Sequence, residues 1–100
     1  MDTKPYLIEL KALISKNLEI EAPSELEEIK KQVYQVLLDL LEQGKLEKLR
    51  QIAYRIDIDQ NRFETVLYQE KTIQLQASLL RDLFIEREVQ KAKTRIQYAD

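Results

Sequence analysis

One hundred residues, 44% hydrophobic and 34% charged, suit one folded domain and argue against intrinsic disorder. The formal net charge of −2 leaves the chain without the overall positive field that drives non-specific binding to nucleic acid. Cysteine and histidine are absent and Gly44 is the sole glycine, which excludes disulfides, thiolate zinc sites, histidine acid–base chemistry and glycine-rich phosphate loops.

The first helix is expected over residues 4–17, where Tyr6, Leu7, Leu10, Leu13 and Ile14 recur at helical spacing. Pro5 confines its start to Thr3 or Lys4, and Asn17 suits its end. The opening stretch MDTKPYLIEL is broken by acids and no cleavage pattern follows, so it does not read as a secretory leader. A linker over residues 19–23 follows, in which Pro23 keeps Ala22 out of helical geometry.

The second helix is expected over residues 24–43, with Ser24 as N-cap and Glu27 completing a capping box. Its apolar stripe is Leu26, Ile29, Val33, Val36, Leu37, Leu40 and Leu41, and Gly44 closes it in a left-handed conformation. The third helix, over 45–56, turns Leu46, Leu49, Ile52, Ala53 and Ile56 inward. Asp57 then makes the turn and Asp59 caps a fourth helix over 60–68, with Ile58 and Phe63 at hydrophobic-staple spacing. The fifth helix runs over 72–97 without glycine or proline. One stripe, Ile73, Ala77, Leu80, Leu83 and Phe84, gives way to a rotated one, Ile85, Val89, Ala92 and Ile96. The boundary at residues 68–71 is weak, so helices four and five are expected either separate or partly fused. The expected fold is all-α: a compact antiparallel bundle of four to five helices with a long C-terminal helix.

Residues 49–67 imitate a helix-turn-helix, with Ala53, Asp57, Ile58, Phe63 and Val66 at the right intervals and Gln60, Asn61 and Arg62 as base-edge donors. Asp57, Asp59 and Glu64 place negative charge at the same end, so a stapled helical corner accounts for these residues better than DNA recognition. Asp57, Asp59 and Asn61 also match positions one, three and five of a calcium loop, but Arg62 replaces its glycine and Tyr68 its bidentate glutamate. Glu27, Glu28, Glu42 and Glu47 read as solvated helix-face charges, and no carboxylate is expected to be buried with a tuned pKa. The tyrosines Tyr6, Tyr34, Tyr54, Tyr68 and Tyr98 read as half-buried packing residues, and Arg55 as a clamp on Asp57, Asp59 or an aromatic ring.

Lys91, Lys93 and Arg95 make the end of the last helix basic, which the helix dipole favours. Some 25 helical residues span about 37 Å, against roughly 33 Å for a compact domain of this size. The stripe Ile85, Val89, Ala92 and Ile96 must then be covered either by helix one or by a second chain, with the acidic segment 19–28 available to complement the basic face.

Tyr54-Arg-Ile-Asp-Ile58 together with Glu86-Arg-Glu-Val-Gln-Lys-Ala-Lys-Thr-Arg95 resembles a family of short bacterial all-helical proteins that share a YRID-like turn and an ERxxQKxKxR-like terminal helix. The resemblance covers the second half of the chain and departs from the family in residues 70–76, which lack its Asn-, Asp- and Pro-rich loop. It implies an all-helical fold, attaches no activity, and singles out Arg87, Gln90, Lys91, Lys93 and Arg95 as a set.

These readings lead to an expected non-catalytic cytoplasmic protein without metal, cofactor or membrane span. It is expected to bind another protein or itself through Ile85, Arg87, Val89, Gln90, Lys91, Ala92, Lys93, Arg95 and Ile96. Nucleic-acid binding through 49–67 and the basic terminal helix is the alternative.

Overall fold

Three of the helix ends are built the same way, and together they set the path of the chain. In the computed structural model, which describes residues 5–69 and 72–97, the helices are α1 (Pro5–Leu18), α2 (Leu26–Glu42), α3 (Leu46–Ile56), α4 (Gln60–Gln69) and α5 (Ile73–Gln97). Helices α1, α2 and α3 are each followed by a left-handed residue: Glu19 at φ 59°, Gly44 at φ 69° and Asp57 at φ 67°. In each case the next residue's N–H returns to a carbonyl five positions back: Ile20 to Ser15, Lys45 to Leu40 and Ile58 to Ala53. This motif satisfies carbonyls that a helix end otherwise leaves open. Only Gly44 adopts the conformation without steric cost.

Glu19 holds it through tertiary partners. Its carboxylate accepts from Lys48 and Arg55, each at 3.3 Å, and the Lys48 hydrogen bond foremost keeps its pKa low. The left-handed position is therefore Glu19 rather than Asn17, which belongs to α1 and points inward.

The N-terminus of α2 differs from the expected capping box. Glu25 is the N-cap, in extended conformation and without a side-chain bond, while the Ser24 hydroxyl accepts from Lys11 at 3.4 Å. The linker is secured instead by Ser15, whose hydroxyl accepts from the Ala22 N–H at 3.0 Å. At α4 the expectation holds: Asp59 Oδ1 accepts from the N–H groups of Asn61 at 2.9 Å and Arg62 at 3.2 Å. Asp59→Ala is expected to cost about 1 kcal/mol, read by denaturant unfolding; no measurable loss would show that the cap is redundant. The expected weak boundary lies partly at Glu70 and Lys71, outside the described residues. Beyond it Thr72 caps α5, its hydroxyl accepting from the Leu75 N–H at 3.1 Å. The expected helix start at Thr3 or Lys4 and the packing of Tyr98 also lie outside the described residues.

The core is one cluster. Leu10, Leu13 and Ile14 of α1 and Ile29, Val33 and Leu37 of α2 meet Leu80 and Phe84 of α5, closed off by Ile52 and Ile56 of α3 and Phe63 of α4. Helix α5 is the spine, with α1 and α2 as its principal neighbours, and the molecule measures 42 × 24 × 19 Å.

Candidate functional site

The basic end of α5 is covered by α1 of its own chain. Ala92 is fully buried and Ile85 nearly so, Val89 is half-buried, and Ile96 is 37% exposed. Ile85 and Ala92 therefore belong to the chain's own core, and the buried stripe needs no second chain. The segment 19–28 does not complement the basic face either. Glu19 instead pairs with Lys48 and Arg55.

Each cation of that face has a local task. Arg87 grips the α3–α4 corner, donating to the Asp57 carbonyl at 3.2 Å and to its carboxylate at 3.0 Å. Its guanidinium also reaches Gln90 Oε1 at 3.4 Å. Lys91 donates to the Arg55 carbonyl at 3.3 Å and stands 3.7 Å from Glu88. Lys93 lies 5.1 Å over the ring of Tyr6, and Arg95 pairs with Glu9 at 3.3 Å. A cleft of about 230 Å³ opens among Arg87, Lys91, Thr94 and Arg95, but the carboxylates of Asp57, Glu88 and Glu9 already balance those cations. Arg55 turns toward α1, donating to the Asn17 carbonyl and to Glu19, not toward Asp57, Asp59 or a ring.

One residue overturns an expectation drawn from sequence. Glu88 is completely buried in the heart of the bundle. Its Oε1 accepts from Asn17 Nδ2 at 3.0 Å, across 71 residues of sequence, and its Oε2 has no partner. Burial pushes its pKa up, and Lys91, the Asn17 hydrogen bond and Arg95 oppose that only in part. The signal was present but weak. Glu88 falls at i+4 from Phe84 and i−4 from Ala92, on the buried face of the helix.

Acids engage two of the three donors of the helix-turn-helix look-alike. Gln60 donates to Glu64 at 2.9 Å, and Arg62 pairs with Glu86 at 3.5 Å. Asp57 and Asp59 serve Arg87 and the α4 N-terminus. Among the described residues, no three acidic side chains gather to hold a metal ion, and no helix is long and apolar enough to cross a membrane. Tyr54 and Tyr68 are 84% and 75% exposed, so neither is the packing residue expected.

An open apolar groove lies elsewhere on α5. A groove of about 390 Å³ runs between α4 and α5, with Val66, Leu79 and Leu83 as its apolar lining and Asn61, Arg62, Thr65 and Asp82 at its rim. Leu75, 45% exposed, extends this surface toward the start of α5. Leu75, Leu79 and Leu83 recur every four residues, a second apolar stripe that the core-facing one masks in sequence. Comparison with protein-family models, curated proteins and solved structures found no match. The resemblance carried by Tyr54–Ile58 and Glu86–Arg95 therefore rests on those residues alone.

Proposed function

We propose that this chain is a non-catalytic interaction module that receives an apolar helix in the groove between α4 and α5. The groove itself supports this reading. It leaves Leu75, Leu79 and Leu83 incompletely covered on the longest helix, whereas the basic end of α5 is covered by α1 and neutralised by local acids. Apolar side chains spaced by three or four residues on one face suit helix-in-groove recognition. The contact surface thus stays on the C-terminal helix but moves from 85–96 to its first half.

The test compares the wild-type chain, Leu79→Asp and Lys93→Glu as tagged baits, offered both a cell extract and an untagged copy of the chain. Leu79→Asp is expected to cut the bound protein at least tenfold, in keeping with about 1.4 kcal/mol or more of lost contact, while Lys93→Glu leaves it unchanged. Capture that is indifferent to Leu79→Asp would refute the groove.

A further inference from the structure

We infer that the occupant of this groove is a second copy of the chain, with the two α5 helices antiparallel and their twofold axis at Leu79. This rests on the reading of the groove as a docking surface, and the charge pattern on α5 carries it further. Around Leu79 the open face of α5 presents Leu75, Asp82, Leu83 and Glu86, with half-buried Gln76 at its edge, its amide donating to the Leu67 carbonyl at 3.0 Å. An antiparallel pairing about Leu79 sets each residue against the one equally far on the other side. Leu79 meets its own copy, Leu75 meets Leu83, Asp82 meets Gln76, and Glu86 meets Thr72. The apolar positions coincide, and neither acid faces another acid.

A parallel pairing in register is disfavoured by its charges. It sets Asp82 against Asp82 and Glu86 against Glu86, and like charges facing each other disfavour a contact. The rim charges also ask for no charged partner, because each is already matched in its own chain. Arg62 pairs with Glu86 at 3.5 Å and Asp82 with Arg81 at 2.9 Å. A neutral apolar ridge flanked by such pairs is what the surface accepts, and it is also what the surface offers. That self-complementarity is the requirement of a twofold interface.

The paired stretch from Thr72 to Glu86 is about 21 Å long at 1.5 Å per residue. So short a contact belongs at the low end of specific interfaces, so the dimer is expected to form in the micromolar range, roughly 10–100 μM.

Sedimentation equilibrium from about 5 to 500 μM (a range set around that affinity) tests the occupant. The wild-type chain is expected to pass from monomer to dimer, and Leu79→Asp to remain monomeric with an unchanged helical circular dichroism spectrum. Leu75→Lys, at a more exposed position, repeats the test should Leu79→Asp disturb the fold.

Because the chain has no cysteine, the register can be read by cross-linking with a short bis-maleimide. Leu79→Cys is expected to couple to itself rapidly. Leu75→Cys and Leu83→Cys should couple to each other faster than either couples to itself. A strict monomer at all concentrations would overturn the inference, yet groove-dependent capture of a different protein would still uphold the broader reading. A dimer that survives both Leu79→Asp and Leu75→Lys, or one in which Leu75→Cys couples to itself fastest, would overturn the arrangement.

Discussion

Phe63→Ala is expected to remove about 3–5 kcal/mol of folding free energy, the largest loss from any single substitution in α4. Phe63 is the only fully buried residue of that helix, and its ring stacks on Phe84 of α5 with centroids 6.4 Å apart and planes at 22°. Truncation removes the transfer free energy of the ring, opens a cavity under α4 and forfeits the aromatic contact. Domains of this length have a margin of about 5–15 kcal/mol, so the variant would retain only part of its stability.

The loss should also be local in character. Val66 and Leu67 are half-buried and Tyr68 is exposed, so without Phe63 little apolar burial holds α4 against α5. Amide hydrogen exchange in 60–69 should accelerate more than in α1 or α2, while denaturant unfolding reports the global change. A loss below about 1 kcal/mol, or uniform exchange across all helices, would show that α4 is held by something other than this ring.

Glu88→Gln is expected to stabilise the protein, and the gain should depend on pH. The ionised Glu88 carboxylate keeps one oxygen without a partner in the core, its other oxygen held by Asn17 and 3.7 Å from Lys91. Facing it are Asn17 from α1, Lys91 and Arg95 from α5, and the Arg55 carbonyl of α3 through Lys91. Glutamine keeps an oxygen for Asn17 and removes the buried charge, while Lys91, partly exposed, retains water and the Arg55 carbonyl.

The sign of the pH effect follows from the raised pKa. Between the ordinary carboxylate value of about 4.3 and the higher value in the folded chain, the folded state keeps a proton that the unfolded chain has released. Stability must then fall as pH rises through that window. Glutamine does not titrate, so its advantage should be small near pH 4, grow as pH climbs to the folded value, and level off above it. Thermal or denaturant unfolding of both proteins at a series of pH values measures this. A difference that is flat with pH, or a Gln variant less stable than the parent at pH 8, would contradict the account.

Features governed by short-range rules were readable from sequence. Gly44 and Asp57 occupy the left-handed positions that their residue types favour, and Asp59 caps α4 from two and three residues away. The inward stripes of α1 to α3 follow from periodicity, because a helix whose apolar residues share one side must bury that side, except at Leu46, expected inward but 39% exposed at the first residue of α3, where the helix has only just left the Gly44 turn. Where a local rule had a competitor, it failed. Ser24 has the chemistry of a cap, but its hydroxyl accepts from Lys11 instead, and the helix begins two residues later at Leu26. Glu19 is a poor residue for a left-handed turn, and Lys48 and Arg55 hold it there from 29 and 36 residues away.

Helix α5 shows the division most plainly. By itself the sequence determined that residues 73–97 are helical, that the chain is all-α, and that its chemistry excludes cysteine and histidine functions. It could not say which of α5's sides faces inward, because α5 carries apolar residues on more than one face. Tertiary packing decided that α1 covers Ile85 and Ala92, that Glu88 is enclosed against Asn17, and that Leu75, Leu79 and Leu83 are left beside an open groove. The physical reason is that helical periodicity is a property of neighbours three and four residues apart. The burial of a given face is fixed by segments such as α1 and α4, which lie far away in sequence and reach α5 only in the folded chain.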